Sequence, residues 1–309
     1  MSRPAATPVT GWRAALGYGA CALAACLWGT GFFWGKLALR EMQVEHMVLY
    51  RFWFAAVVLL PFAMRHRPRF PARSWRMLLL AAFLGIPLSF LLQFYGLALT
   101  TVSHASLMIG TMPVLLALGA TLFAGERLDL TGWLALLVST AGTALIVLGG
   151  KHAAGIPPTY LWGDLLVIAS LLVALGWVLL NKDLMREHSP LVVTTYGVLS
   201  GTVMLTAWVL LRTGPPPLAG LSRQTWAALA ISGVLCTAAT TFLWNWGINQ
   251  VPASRAGVFL NLEPVLGSLL GVGLLGEHLG PYAYLGGAMI IAAAVVITVQ
   301  RRQPDVLLE

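Results

Sequence analysis

Charge is scarce in this chain of 309 residues: Asp, Glu, Lys and Arg make up only 10% of it, whereas hydrophobic residues make up 58%. A water-soluble domain carries charge on roughly a quarter of its residues. So little charge cannot cover a water-soluble surface, which indicates an integral membrane protein with the lipid bilayer as its surroundings. The sequence offers no polar domain on which its 19 Lys and Arg residues could bind nucleic acid, so we expect no such partner.

Cysteine and the common catalytic motifs are also rare or missing. The three cysteines, Cys21, Cys26 and Cys236, lie in apolar stretches without a CxxC pair or a histidine at ligand spacing, so we expect no disulfide and no metal. The sequence contains no GxxxxGK[ST], HExxH or GxSxG motif. This disfavours an ATP-driven pump and a membrane-embedded enzyme, and we expect no cofactor.

Long apolar segments are what the chain has instead. A helix needs about 20 residues to cross a hydrocarbon core of about 30 Å, and the runs do not alternate as barrel strands do. The sequence therefore predicts an all-α integral membrane protein with ten transmembrane helices, at residues 14–37, 47–64, 76–98, 102–124, 131–149, 161–181, 190–211, 225–248, 252–275 and 280–299.

The second half of the sequence repeats the first. Residues 93–128 align without a gap on residues 244–279, a shift of 151, which brings Pro113-Val114-Leu115 onto Pro264-Val265-Leu266. Such a shift indicates duplication of a half-protein, with repeats of five helices at 14–149 and 161–299. Because five is odd, the copies should have opposite orientations in the membrane, giving an inverted 5+5 repeat.

Basic residues predict the orientation. The cluster between Arg65 and Arg76 and the basic residues of both tails fall on one side of the predicted spans. The side richer in Lys and Arg is normally cytoplasmic. We therefore expect the tails, residues 1–13 and 300–309, to be cytoplasmic.

Several short motifs resemble those of a known family. They are Leu27-Trp28-Gly29, Arg51-Phe52, Pro113-Val114 and Gly125-Glu126-Arg127-Leu128 in the first copy, then Gly163-Asp164, Glu263-Pro264-Val265 and Gly276-Glu277 in the second. In their order and duplication the chain resembles the ten-helix EamA-domain transporters of the drug/metabolite transporter (DMT) superfamily. The resemblance implies an inverted-repeat bundle around a central cavity, in a bacterial inner membrane. Many bacterial members export amino acids, metabolites or toxic cations.

Glu263 is the sharpest functional candidate. It lies eleven residues into the predicted span 252–275, roughly 16 Å deep and close to the midplane. An ionised carboxylate there costs about 2.5–3.5 kcal/mol, so it should face the bundle interior and could exchange a proton for a cationic substrate. The alternative is a buried acid that ties helices together. Met112 occupies the equivalent position of the first copy, so a coupling role would not be duplicated.

Polar and aromatic side chains supply candidates for a substrate cavity. Thr237, Thr241, Asn245 and Asn249 form a stripe at four-residue spacing that lipid would not accommodate. Each candidate could instead serve helix packing, through interhelical hydrogen bonds or aromatic core contacts. The full set of cavity candidates is Trp28, Phe32, Gln93, Tyr95, Trp177, Thr241, Trp244, Asn245 and Asn261.

Two further repeat-related pairs stand out. Pro113 and Pro264 cannot donate a backbone hydrogen bond, so each should kink its helix and free a carbonyl. His104 and Arg255 begin equivalent helices at opposite membrane faces and are gating candidates, the alternative being interfacial side chains that reach into water. Arg51 and Glu277 resemble structural residues at helix ends, and we expect no Lys or Arg at mid-depth.

The sequence thus predicts a secondary transporter, most simply a proton-linked exporter of amino acids or similar small metabolites that works by alternating access. An uncoupled, facilitative permease is one alternative. An importer or exchanger of phosphorylated metabolites is another, disfavoured by the expected lack of mid-depth cations. Substrate identity and oligomeric state stay open.

Overall fold

The computed structural model describes residues 11–65, 68, 70–112, 114, 115, 118, 119, 130–149, 159–250 and 257–300. Within these ranges, helices occur at ten positions, which we number α1 to α10. Their bounds are Gly11–Ala38 (α1), Val44–Arg65 (α2), Ala72–Leu99 (α3), Val102–Ile109 (α4), Leu130–Gly149 (α5), Thr159–Leu184 (α6), Pro190–Arg212 (α7), 223–250 (α8), 257–275 (α9) and Pro281–Gln300 (α10).

These positions confirm the predicted all-α fold with ten helices. Six of the described helices, α1, α2, α3, α6, α7 and α8, are long and apolar enough to cross a membrane, and α5, α9 and α10 contain shorter apolar segments. Only the first part of the fourth predicted span, 102–124, can be compared, because the chain between 120 and 129 lies outside the described residues. Large apolar side chains remain exposed on the outer helix faces, for example Val57, Val203 and Leu211, as a lipid environment requires.

Contacts between helix ends show how the chain runs through the bundle. At one end, which we call end B, the Ser222 amide before α8 donates to Glu41 after α1 at 2.8 Å. At the opposite end, end A, Ser74 at the start of α3 donates to Glu187 after α6 at 3.4 Å. Successive helices therefore alternate in direction, and five helices per half give the second half the inverted orientation.

Glycines let several helices approach backbone to backbone. A Cβ added to Gly96 on α3 would lie 2.7 Å from the carbonyl oxygen of Gly163 on α6, and one added to Gly142 on α5 would lie 2.7 Å from that of Gly286 on α10. Small residues allow this close packing where no hydrophobic force draws helices together. The close pairs join helices within one bundle.

Two π-helical turns interrupt α3 and α8, at Leu84–Leu88 and Val234–Ala239. The repeat shift of 151 carries residues 84–88 onto 235–239, so the turns occupy equivalent positions. Pro87 explains the first turn, because proline lacks the N–H that an α-helix needs. The turn in α3 packs against α6 and α7, and the turn in α8 packs against α1 and α2. Each π turn thus contacts the first two helices of the other half.

Candidate functional site

A buried arginine joins four helices in the middle of the bundle. Arg51 on α2 is only 4% exposed. Its Nε donates to Thr237 Oγ1 at 2.7 Å, and its Nη2 donates to the carbonyl oxygen of Cys236 at 2.9 Å, both in the π turn of α8. The guanidinium carbon lies 4.9 Å from the centre of the Phe90 ring and 5.3 Å from that of Phe94, both on α3. The fourth helix is α1, since a Cβ on Gly31 would lie 3.7 Å from Nη1.

The depth of this guanidinium corrects the sequence analysis. Arg51 follows Val44, the first residue of α2, by 51 − 44 = 7 residues, about 10 Å along the axis. Its side chain then reaches Cys236, which is 236 − 233 = 3 residues further into α8 than Gly233, the residue that lies against the Arg51 backbone. The charge therefore lies about 5 Å deeper than that backbone. The expectation of a helix-end Arg51, with no Lys or Arg at mid-depth, is therefore wrong. A long side chain carries the charge further than the position of its Cα indicates.

Glu263 lies close to this arginine. Its backbone packs on α1, where a Cβ on Gly29 would lie 2.9 Å from the Glu263 carbonyl oxygen. The residue is only partly buried although it sits between helices, and Arg51 lies against Gly31, two residues further along α1. Arg51 belongs to the first half and Glu263 to the second, and both lie against the same stretch of α1. Counted from the first residues of α2 and α7 (190 − 44 = 146), the repeat equivalent of Arg51 is Gly197, and that of Glu263 at a shift of 151 is Met112. The pair therefore exists once in the protein.

The aromatic candidates divide between two places. The rings of Trp28 on α1 and Trp244 on α8 lie 5.6 Å apart, and both side chains are partly accessible. Phe32 is buried, with its ring 6.0 Å from that of Phe94 beside Arg51. Trp177 on α6 packs instead against the first π turn, where its ring leaves no space for a Cβ on Gly85.

The polar candidates also differ in their roles. Asn245 on α8 donates to Thr194 on α7, and Thr241 donates to the carbonyl of Thr237 in its own helix at 2.6 Å. The Asn245 bond is an interhelical bond of the kind expected as the alternative to substrate contact, whereas the Thr241 bond stays within its own helix. Gln93 is half-buried, and Asn261 is buried at the start of the α-helical part of α9.

Tyr95 lies away from this centre. Its side chain is 38% exposed, and its hydroxyl donates to Glu45 in the first turn of α2, which places it near end B. Its ring does not contact the Trp28 and Trp244 pair in the described aromatic contacts. Gln93 and Tyr95 are two residues apart, about 200° around a helix, so the two side chains face different ways.

The proline and gating candidates can be compared only in part, because Pro113 and Arg255 lie outside the described residues. Pro264 falls in the first turn of the α-helical part of α9, Leu262–Leu275, which follows a 3₁₀ turn at Gly257–Asn261. Proline is tolerated in a first turn, where its missing N–H has no helical partner. The interruption near Pro264 is therefore a change of helix type.

His104 is buried in a polar network at end B. It is 5% exposed, and its Nδ1 lies 3.3 Å from Oδ2 of Asp164, whose Oδ1 accepts from Thr100 at 2.7 Å. Lys36 on α1 donates to the carbonyl oxygens of Leu97 and Thr100, each at 2.6 Å. The alternative of a His104 side chain reaching into water is therefore wrong, since Asp164 satisfies it inside the bundle. Neither Asp164 nor Lys36 was predicted from the sequence to take part in this network.

Carboxylates also fix the connections at end B. Glu277, after α9, accepts from the amides of Val102 and Ser103 at 2.8 Å each and from the Ser103 hydroxyl at 2.7 Å. This confirms the helix-end role expected for Glu277. In the α1–α2 connection, the hydrogen bond from the Ser222 amide holds the pKa of Glu41 below its usual range. Within the ranges given above, no group of three or more His, Cys, Asp or Glu side chains could hold a metal ion.

We expect Glu277→Gln to destabilise the bundle by about 1–3 kcal/mol, because the α4 amides lose a charged acceptor near the positive end of a helix dipole. The measurement is thermal unfolding of the purified protein in detergent. Glu45→Gln is the control, because Glu45 bonds a partly exposed tyrosine and caps no amide in the described contacts. Equal unfolding temperatures for the two variants would contradict the cap.

Comparison with known proteins agrees with this architecture. A family model described as the EamA-like transporter family matches residues 15–148 and again residues 161–299. Similar proteins include the uncharacterized transporter YetK of Bacillus subtilis, 25% identical over 93% of this chain and 88% of YetK. A probable terminal-alkyne amino-acid exporter of Streptantibioticus cattleyicolor is 28% identical over 90% of this chain and 92% of its own.

A solved structure supports the same fold. One crystal structure superposes with a TM-score of 0.66 and 20% sequence identity, covering 94% of this chain and 99% of the other. At that identity the likeness concerns the fold alone. The two family matches together span most of the sequence. This chain belongs to the EamA-like transporter family and is a multi-pass membrane transporter rather than an enzyme.

Proposed function

We propose that this chain is a proton-linked exporter of amino acids or similar small metabolites in a bacterial inner membrane, with both tails cytoplasmic. The observation that carries the proposal is that Arg51 and Glu263, from opposite halves of the protein, lie against Gly31 and Gly29 on the same turn of α1. A similar protein, the probable terminal-alkyne amino-acid exporter, supports the choice of substrate class. The basic cluster near Arg65 supports the orientation.

Glu263 is the group through which protons would drive export. An ionised carboxylate at mid-depth attracts the ammonium group of an amino acid, whereas a protonated one does not. Proton binding and ammonium binding therefore compete for one side chain. Protons entering from the outside would release the substrate there, and loss of the proton to the cytoplasm would restore the site. The partial accessibility of Glu263 is consistent with such exchange.

Alternating access has support from the contacts between the halves. Each π turn packs against the first two helices of the opposite half. Single π turns within α-helices frequently occur at functional sites. The contact between Glu41 and Ser222 joins the halves at end B, and the contact between Ser74 and Glu187 joins them at end A. A rocking motion of the halves would open these two ends in turn.

Cross-linking either end should therefore stop transport. We expect a short bifunctional maleimide to inhibit the Glu41→Cys/Ser222→Cys variant, and equally the Ser74→Cys/Glu187→Cys variant, in a background lacking the native cysteines. The physical reason is that each link prevents the two halves from separating at one end. The measurement is substrate flux in proteoliposomes before and after cross-linking, with the extent of linkage followed by mass spectrometry.

The control is a pair within one half, Asp183→Cys/Arg186→Cys. These residues are separated by 3.7 Å between side-chain atoms and lie on the exposed surface near end A. Linking them should leave flux unchanged. Undiminished flux after complete linkage at both Ser74/Glu187 and Glu41/Ser222 would exclude rocking of the halves as the transport step.

The direct test of the proposed function is flux of labelled amino acids in proteoliposomes with and without a pH gradient. An acidic compartment should accumulate more amino acid than a neutral one, because protons that leave the acidic compartment drive substrate into it. Accumulation of amino acid that does not depend on the pH gradient would favour the uncoupled permease. Absence of flux for every amino acid tested would exclude the proposed substrate class.

A second candidate function gains support from Arg51. An importer or exchanger of phosphorylated metabolites needs a cation in its site, and the buried guanidinium supplies one at mid-depth. Counterflow of a sugar phosphate against inorganic phosphate in the same proteoliposomes distinguishes it from amino-acid export. The nearby carboxylate of Glu263 disfavours a doubly charged phosphate.

A further inference from the structure

The charge of Arg51 has no close counterion among the described residues. The ion pairs within 4 Å in the described part of the chain are His104 with Asp164 and Arg186 with Asp183. Arg51 is instead held by a hydroxyl, a carbonyl and two aromatic rings, all of them neutral. A buried charge without an opposite charge in contact is unfavourable in a medium of low dielectric constant. An anion beside Arg51 would remove that penalty.

The guanidinium is held in place and still has donors to offer. One hydrogen bond uses Nε and one uses Nη2, whereas an arginine carries five N–H groups in a planar fork that matches a carboxylate. Gly31 has no side chain to cover the face of Nη1 and Nη2, from which a Cβ would be separated by 3.7 and 3.8 Å. The remaining N–H groups are therefore pre-positioned without a bulky α1 side chain above them.

One stretch of α1 brings the parts of a binding site together. Trp28 and Gly31 are three residues apart and share a face of the helix. Trp28 contacts Trp244, Gly31 lies against Arg51, and Gly29 between them packs on the backbone of Glu263. Within about one helical turn, α1 thus meets a cation, an acid and a pair of aromatic rings.

We propose that Arg51 binds the carboxylate of the transported substrate and makes a free carboxylate a requirement for transport. This assignment rests on the proposed function, in which Glu263 binds the ammonium group. The two side chains then match the two charges of a zwitterion, and the paired tryptophans accommodate an apolar side chain. No equivalent arginine exists in the second copy, where α7 begins 146 residues after α2 and Gly197 occupies the position. Only one such site can form.

The test compares an amino acid with its amide, for example leucine with leucinamide, in proteoliposomes containing the intact protein. The amide keeps the ammonium group and the side chain but lacks the carboxylate. We expect the wild type to show a KM for the amide about ten- to hundredfold higher than for the acid, the effect of losing one charged hydrogen-bonded pair. Arg51→Gln should bring the two KM values together, and Arg51→Lys should restore part of the difference.

The ratio of the two KM values separates substrate binding from a structural role, since a loosened bundle would weaken both substrates alike. Arg212→Gln, at the end of α7, is the matched control and should keep the wild-type ratio. If Arg51→Gln fails to insert, two milder variants replace it. Arg51→Lys keeps the charge but loses the planar fork, and Thr237→Val keeps Arg51 but removes the hydroxyl that accepts from its Nε. Each should reduce the ratio of the two KM values.

Three results would overturn the assignment. Equal KM values for acid and amide in the wild type would exclude Arg51 as a carboxylate site while leaving amino-acid export intact. An unchanged ratio in Arg51→Gln would do the same. Failure of the wild type to carry either compound would instead remove the proposed function, and the assignment with it.

Discussion

Replacing Glu263 with glutamine should abolish proton-driven amino-acid transport and leave the folded bundle intact. Glutamine keeps the size of the side chain and its hydrogen-bonding groups but can neither release a proton nor attract an ammonium group electrostatically. A neutral amide at mid-depth is also less costly to insert than an ionised carboxylate. The measurements are amino-acid flux in proteoliposomes and elution of the purified variant on size exclusion.

Asp183→Asn is the matched control for Glu263→Gln, because it removes one negative charge at an exposed position near end A. Its flux should equal that of the wild type at every pH. The dependence of flux on pH separates the two roles considered for Glu263. Flux in Glu263→Gln that matches the wild type from acidic to alkaline pH would reduce Glu263 to a residue that ties helices together.

The second large effect concerns assembly of the bundle. Gly96→Val should prevent α3 from packing on α6, because even a Cβ at Gly96 would lie 2.7 Å from both the Gly163 carbonyl oxygen and Val167 Cγ2. Backbone cannot move away as a flexible side chain can. We expect a loss of about 1–3 kcal/mol or more in stability, seen as a lower unfolding temperature and a smaller yield of monodisperse protein.

Gly273→Val on α9 tests whether valine itself is responsible. A Cβ at Gly273 meets no atom within 4 Å, and the residue is exposed. Its unfolding temperature should therefore stay close to that of the wild type. A Gly96→Val protein as stable as Gly273→Val would mean that the α3–α6 crossing does not determine how the halves assemble.

Most of the fold could be predicted from the sequence because a membrane imposes simple rules. Apolar length fixed the existence of helices such as α1 and α6 to within a few residues at each end, since a span must cross the hydrocarbon. The repeat at a shift of 151, combined with five helices per half, indicated the inversion. The π turns could be predicted only in part. Pro87 indicates the π turn in α3, whereas Val234–Ala239 contains no proline that would indicate the π turn in α8.

The candidate site was less accessible to sequence reasoning, and Arg51 shows why. The rule that a charge within a span is costly singled out Glu263, and it applied equally to Arg51. The position of Arg51 near the start of a helix concealed the reach of its side chain to Cys236. Asp164 was hidden in the same way, because its partners Thr100 and His104 come from other helices. Contacts between distant segments follow from packing, which periodicity along one helix does not specify.

Proton movement driven by the substrate distinguishes proton-linked export from an uncoupled permease. With a pH-sensitive dye trapped in proteoliposomes, a gradient of an amino acid should drive protons in the opposite direction, in proportion to the substrate moved. Glu263→Gln should give no such signal. Amino-acid movement through the wild-type protein without any accompanying change of internal pH would contradict the account.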